Sequence, residues 1–191
     1  MFETLNTYLF NKRARAYLKL TPREHRFVNY TKAKTILLLF ESDYTEKNPY
    51  IHRIINQMQL DGKKVTAWGF IDKKEIVTAI YPDFRILHHK QTDMFHRPLE
   101  SFINELQYAE FDLLIDLSTK PILPLEYLAL YAIASFKTGL RKTDLPIYDF
   151  VLNIEQMPEE PESTELSEST ADETYLFNQI IFYLKSIQTT D

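Results

Sequence analysis

The chain contains no cysteine. Disulfides, thiolate metal ligands and thiol nucleophiles are therefore excluded, and the composition suits a reducing, cytoplasmic setting. Glycine is nearly as scarce: Gly62, Gly69 and Gly139 are the only three, against a usual share of about 7%. They lie far apart in the sequence. Neither a dinucleotide fingerprint nor a phosphate-binding loop can be assembled from them, because both need clustered glycines where backbone approaches phosphate. The same scarcity denies every serine the glycine-flanked turn of a hydrolase nucleophile. No apolar run reaches the roughly 18 residues of a membrane span. The opening stretch MFETLNTYLFNKRARAYLKL places its basic residues after its apolar ones, with no small-residue cleavage site following, so a secretory leader is not expected.

What remains is the composition of a folded chain. Apolar residues make up 45% and aromatics 14% of 191 positions, enough for one domain with a substantial core. The net charge of −5 hides a polarity. Residues 1–35 carry Lys12, Arg13, Arg15, Lys19, Arg23, Arg26, Lys32 and Lys34 against Glu3 and Glu24, whereas residues 155–173 are acidic and hold no basic residue. That acidic, Pro/Ser/Thr-rich stretch reads as a mobile loop.

Hydrophobic patterning organises the rest. Residues 1–20 form an amphipathic basic helix, ahead of a single domain over 21–191. Thr35–Phe40, TILLLF, is apolar without alternation, the signature of a strand covered on both faces. Asn48–Pro49 starts a helix that stops at Asp61–Gly62. Val65–Phe70 and Phe84–His88 are the next strands, with a short helix from Asp72 to Pro82 between them. Pro98 opens a helix to about Tyr108, and Phe111–Leu117 is a fourth strand. Pro124 opens LEYLALYAIAS, apolar nearly all round and hence a buried helix. Phe136–Arg141 and Tyr148–Ile154 read as two last strands, and their short connection predicts an antiparallel pair. Leu176, Ile180, Tyr183, Leu184 and Ile187 fall on one stripe of a closing helix. The alternation predicts a doubly wound, mostly parallel α/β sheet of five to six strands, Rossmann-like, in the order 3-2-1-4-5.

In such sheets a ligand settles beyond the carboxyl ends of the strands, where strand order reverses. That places Ser42 and Asp43 on one wall of a crevice and Asp116, Ser118 and Lys120 on the other, with Asp72 and His88 at neighbouring strand ends. Each has a plainer reading. Asp116 suits a carboxylate that accepts N–H groups of the following loop, Asp72 a helix cap, and Lys120 a solvated charge. Of His25, His52, His88, His89 and His96, only His88 and His89 are adjacent. On a strand these two point to opposite faces, so no metal site is expected. The basic N-terminal helix suits packing on the domain, an anionic membrane surface or another protein. The acidic pI near 5.6 disfavours nucleic acid.

Several segments carry a resemblance. RFVNYTKAKTILLLF, FDLLIDLS, PLEYLALYAIASFKTGLR, YDFVLNI and QIIFYLKSI, in that order, resemble a family of small uncharacterised bacterial proteins over most of residues 23–188. The long acidic insert departs from that family, which has no assigned activity, so the resemblance brings no catalytic residue. Residues 110–141 also resemble part of the N-terminal half of heptosyltransferase-type glycosyltransferases. Those enzymes use a glycine-rich turn after the first strand and a second domain. Here that turn is ESDYTEKN, and within 191 residues the second domain is not expected. The sequence thus predicts a cytoplasmic, non-catalytic binding or adaptor module without a cofactor. The alternative is a reduced glycosyltransferase-like domain that binds a nucleotide or sugar phosphate at Ser42, Asp43, Asp116 and Ser118.

Overall fold

The computed structural model describes residues 2–42, 47–72, 84–153 and 168–187. In chain order the elements are α1 (Phe2–Leu20), β1 (Thr35–Glu41), α2 (Lys47–Leu60), β2 (Lys64–Ile71), β3 (Arg85–His88), α3 (Glu100–Gln107), β4 (Glu110–Asp116), α4 (Leu123–Tyr131), β5 (Ile133–Leu140), β6 (Phe150–Leu152) and α5 (Glu168–Ser186). A single 3-10 turn, His89–Gln91, follows β3. The six strands form one parallel sheet in the order β3-β2-β1-β4-β5-β6. The chain therefore adopts the α/β architecture its sequence implies, and strand order reverses between β1 and β4. Among the described residues no helix is long and apolar enough to cross a membrane.

Strand β1 explains the unbroken run TILLLF. Ile36, Leu38 and Phe40 pack with residues of α2 and α5, while Leu37 and Leu39 pack with residues of α1, α3 and α4. All five are fully buried, each stabilising the fold by roughly 1.5–3 kcal/mol. Because both faces are covered, neither parity can be polar. Helix α1 belongs to this packing: Phe10 meets Tyr127 edge-on at 4.8 Å and Tyr17 meets Tyr131 at 4.8 Å.

The two aspartates of FDLLIDLS sit at opposite ends of β4. Asp112 accepts the N–H groups of Lys34 and Thr35 at 2.6 and 2.9 Å, joining β4 to the start of β1. Burial alone would raise its pKa, yet these bonds hold it below the ordinary carboxylate range. Asp116 lies at the carboxyl end, at the switch point.

Four details differ from the sequence reading. The last strand is parallel, not antiparallel. It pairs only with the final residues of β5, Thr138 with Phe150 through Leu140 with Leu152. The connection 141–149 therefore retreats by two strand residues, about 7 Å, and needs no crossover helix. Reciprocal bonds fix its end: Asp149 N–H donates to Lys137 O at 2.8 Å, and Lys137 N–H donates to Asp149 Oδ2 at 2.7 Å. Second, the helix opened by Pro124 stops at Tyr131, because Ile133 and Ala134 pair with Glu110 and Phe111 of β4. Third, the closing stripe is rotated: Phe177 and Ile181 are buried with Leu176, Ile180 and Leu184, whereas Tyr183 and Ile187 are exposed. Fourth, α5 begins inside the acidic stretch, at Glu168. The expected helix after Asp72 and most of the acidic loop lie outside the described residues.

Candidate functional site

A crevice of about 600 Å³ opens beyond the carboxyl ends of β1, β2 and β4. Helix α1 closes one side with Asn6, Thr7, Phe10 and Asn11. The start of α4 contributes Ile122 to Pro124 and Glu126, and the β5–β6 connection contributes Lys142, Thr143 and Asp144. Glu41 and Lys120 face it from the ends of β1 and the β4–α4 turn, and Asp72, His89 and His96 from beyond β2 and β3.

Behind this wall lies a closed network. Asp116 is fully buried and takes four donors. Ser118 gives its N–H and its hydroxyl to Oδ1 at 2.9 and 2.5 Å. Lys142 Nζ and the Tyr148 hydroxyl both reach Oδ2 at 2.5 Å. Lys142 also donates to Ser118 Oγ at 2.6 Å. Gly139 permits this closeness, because a Cβ there would stand 3.2 Å from Asp116 Cβ, Asp116 O and Tyr148 Cε1. Burial, reinforced by the Asp116 carboxylate, holds the Tyr148 phenol protonated well above its ordinary range. The network thus pins the end of β4 to the β5–β6 connection. Its polar atoms satisfy one another rather than face a ligand.

Glu126 is different. It is 3% exposed and its carboxyl has no hydrogen bond or ion pair among the described residues. Burial raises its pKa to about 7, with nearby Asp116 adding to the rise and Lys142 opposing it. It occupies the first turn of α4, directly after Pro124 and Leu125. That turn is poorly suited to an anion. Proline lacks an N–H, the Glu126 N–H already donates to Ile122 O at 3.0 Å, and a carboxyl stands where a phosphate would dock.

The facing wall is built by a braced loop. Asp93 Oδ1 accepts the N–H groups of Phe95 and Arg97 at 2.8 and 3.0 Å, and Thr92 bridges to Pro98. This clamp holds His96 at φ 61°, a left-handed conformation uncommon for a residue other than glycine. The His96 ring packs on His89 with centroids 5.6 Å apart, and His89 Nε2 pairs with the Asp72 carboxylate. Among the described residues no group of three or more His, Asp or Glu is placed to hold a metal ion.

Of the residues singled out from sequence, Lys120 lines the crevice and pairs with Glu41 at 3.3 Å. Asp72 lines it as well. Asp116 and Ser118 are brought together behind the wall. Ser42 is buried, and its N–H donates to Phe70 O at 2.9 Å. Asp43 lies outside the described residues. His88 ends β3, its N–H bonded to Gln91 Oε1 at 3.1 Å, and it is His89, swung out by the 3-10 turn, that reaches the crevice. Sequence reasoning missed Glu126, Lys142 and Tyr148, and weighed His96 only as a metal ligand. Only Glu126 had a local signal: it is the single charged residue of PILPLEYLALYAIAS, so burying that helix buries its carboxyl.

No curated protein and no solved structure matches the chain. A family model described as a family of unknown function, DUF6913, matches residues 7–187. That match takes in most of α1, every strand and the whole of α5, and the chain belongs to DUF6913.

Proposed function

We propose that the chain is a binding module that holds a small polar molecule in the crevice at the β1/β4 switch point. One observation carries the reading. Glu126, nearly fully buried and without a hydrogen-bond partner among the described residues, lines a cavity large enough for a small molecule. The carboxyl therefore meets the crevice and, among the described residues, not a protein donor, and a donor supplied there by a ligand would form a charge-assisted hydrogen bond, roughly twice as strong as a neutral one. A catalytic constellation finds less support, since Asp116, Lys142, Ser118 and Tyr148 are occupied with one another. The glycosyltransferase-like reading also finds less support. Neither turn beside the crevice contains glycine, and the first turn of α4 carries Pro124 and a carboxyl where phosphate would need donors.

A thermal-shift panel of neutral sugars, nucleotides, sugar phosphates and amines tests this reading, because a ligand that binds only the folded state raises the melting point. At least one class is expected to raise it in the natural chain and to fail with Asn11→Trp, which fills the crevice from α1. A shift that survives Asn11→Trp, or no shift with any class, would overturn the proposal.

A further inference from the structure

The charge pattern of the crevice goes further and names the chemistry of its ligand. Each lysine that lines it has an acidic partner: Lys142 reaches Asp116 at 2.5 Å and Lys120 reaches Glu41 at 3.3 Å. His89 is paired with Asp72. Two carboxyls lining the same space, Glu126 and Asp144, have no ion pair or hydrogen bond among the described residues. One is buried and the other exposed. Helix α1, opposite them, presents amide and hydroxyl groups from Asn6, Thr7 and Asn11 and no charge. The space therefore offers acceptors and negative charge, while its cations are already neutralised.

We infer that the crevice binds a small primary amine, whose ammonium group pairs with Glu126 in the interior and is attracted by Asp144 at the rim. This rests on the reading of the crevice as a ligand site. The ammonium supplies the three donors that the Glu126 carboxyl lacks. Binding is coupled to a proton. The free chain holds Glu126 largely as the acid below about pH 7, because burial disfavours the charged form. When an ammonium enters, the Glu126 O–H bond breaks, the proton leaves to solvent and the carboxylate remains paired with the intact ammonium. The charged and titratable groups around Glu126 are Lys142, Asp116 and Tyr148 behind it, and Asp144, His96, the Lys120–Glu41 pair and the His89–Asp72 pair along the crevice. Lys142 and Tyr148 are both tied to Asp116.

Calorimetry on the full chain at low ionic strength, with 1,4-diaminobutane and glucosamine as probes and 1,4-butanediol and glucose as matched controls, decides the matter. The amines are expected to bind and the hydroxyl counterparts not. Near pH 7 the heat should vary with the ionisation enthalpy of the buffer, reporting proton release. Glu126→Gln should abolish that release and weaken amine binding at least tenfold. Asp144→Asn, at an exposed position that cannot threaten the fold, should weaken it by a smaller factor. Diols binding as well as amines, or amine binding unchanged in both variants, would overturn the inference. If glucose instead binds, and Asn11→Trp abolishes it, the crevice reading stands and the amine is wrong. If no probe binds at all, both fall.

Discussion

At the scale of single residues, two neighbouring carboxyls have opposite fates. Asp116 is buried with four donors around it, and Glu126 is buried with none among the described residues. Removing the charge of Asp116 takes from the buried Lys142 the carboxylate it pairs with at 2.5 Å. Asp116→Asn is therefore expected to lower stability by about 3–5 kcal/mol, read from the midpoint of chemical denaturation. Adding Lys142→Met should recover part of the loss, because the stranded cation is gone. Loss of ligand response in Asp116→Asn alone would say little about contact with the ligand. Glu126 behaves in the other direction. Its pKa in the fold, about 7, lies above its ordinary value of 4.5, so between these values the folded state binds more protons than the unfolded chain. Stability contributed by the neutral acid is complete below about 4.5, declines as pH rises to about 7 and is lost above it. Glu126→Gln carries no such dependence. Relative to the natural chain it should gain up to the order of 3 kcal/mol above pH 7 and almost nothing near pH 4.5, as paired denaturation curves would reveal.

At the scale of elements, two glycines illustrate different constraints. Gly62, at φ +77° beyond the end of α2, has open space where a side-chain methyl would stand, with nothing within 4 Å. Gly62→Ala should cost only the backbone term, about 1–2 kcal/mol. Gly139 in β5 has ordinary backbone but presses on Asp116 and Tyr148, so Gly139→Ala should cost about 1–3 kcal/mol through overpacking and disturb the network behind the crevice. Denaturation midpoints measure both, and the Tyr148 hydroxyl resonance separates them, moving only in Gly139→Ala. The elements themselves were legible where patterning is strong. TILLLF and FDLLIDLS could only be strands covered on both faces, and Asp61–Gly62 marks the end of α2. Legibility failed where tertiary pairing outvoted local pattern. Ile133–Ser135 reads as helix but is drawn into β5 by β4. Strand β6 reads as antiparallel because the sequence does not reveal that it pairs with only the last three residues of β5. The crevice was legible as a place in the sheet and not as a set of side chains. The switch-point rule points to the end of the sheet where the crevice opens, but Lys142, Tyr148 and His96 come from loops whose return path no local motif encodes.

At the scale of the whole molecule, α1 is a wall of the crevice and a part of the core. Phe10 and Ala14 are buried in the cluster that includes Leu37, Leu39 and Leu128, while Asn6 and Asn11 line the crevice. We propose on this basis that α1 and the sheet unfold together. Phe10→Ala should cost about 3–5 kcal/mol in one cooperative transition, seen by circular dichroism, with ligand response lost in parallel. The sheet that carries this arrangement ends in short strands, β3 and β6, which limits pairing with other chains along its edges. The parallel layout places every strand's carboxyl end on the same side, and the reversal between β1 and β4 opens the space in which Glu126 stands. That carboxyl is the point on which the functional account turns, and its titration in the free chain, followed by carbon NMR of selectively labelled glutamate, measures it directly. A midpoint near 7 is expected for Glu126. A midpoint in the ordinary glutamate range, about 4.3, would contradict the account, because the carboxyl would then be solvated or already partnered and would have nothing to ask of a ligand.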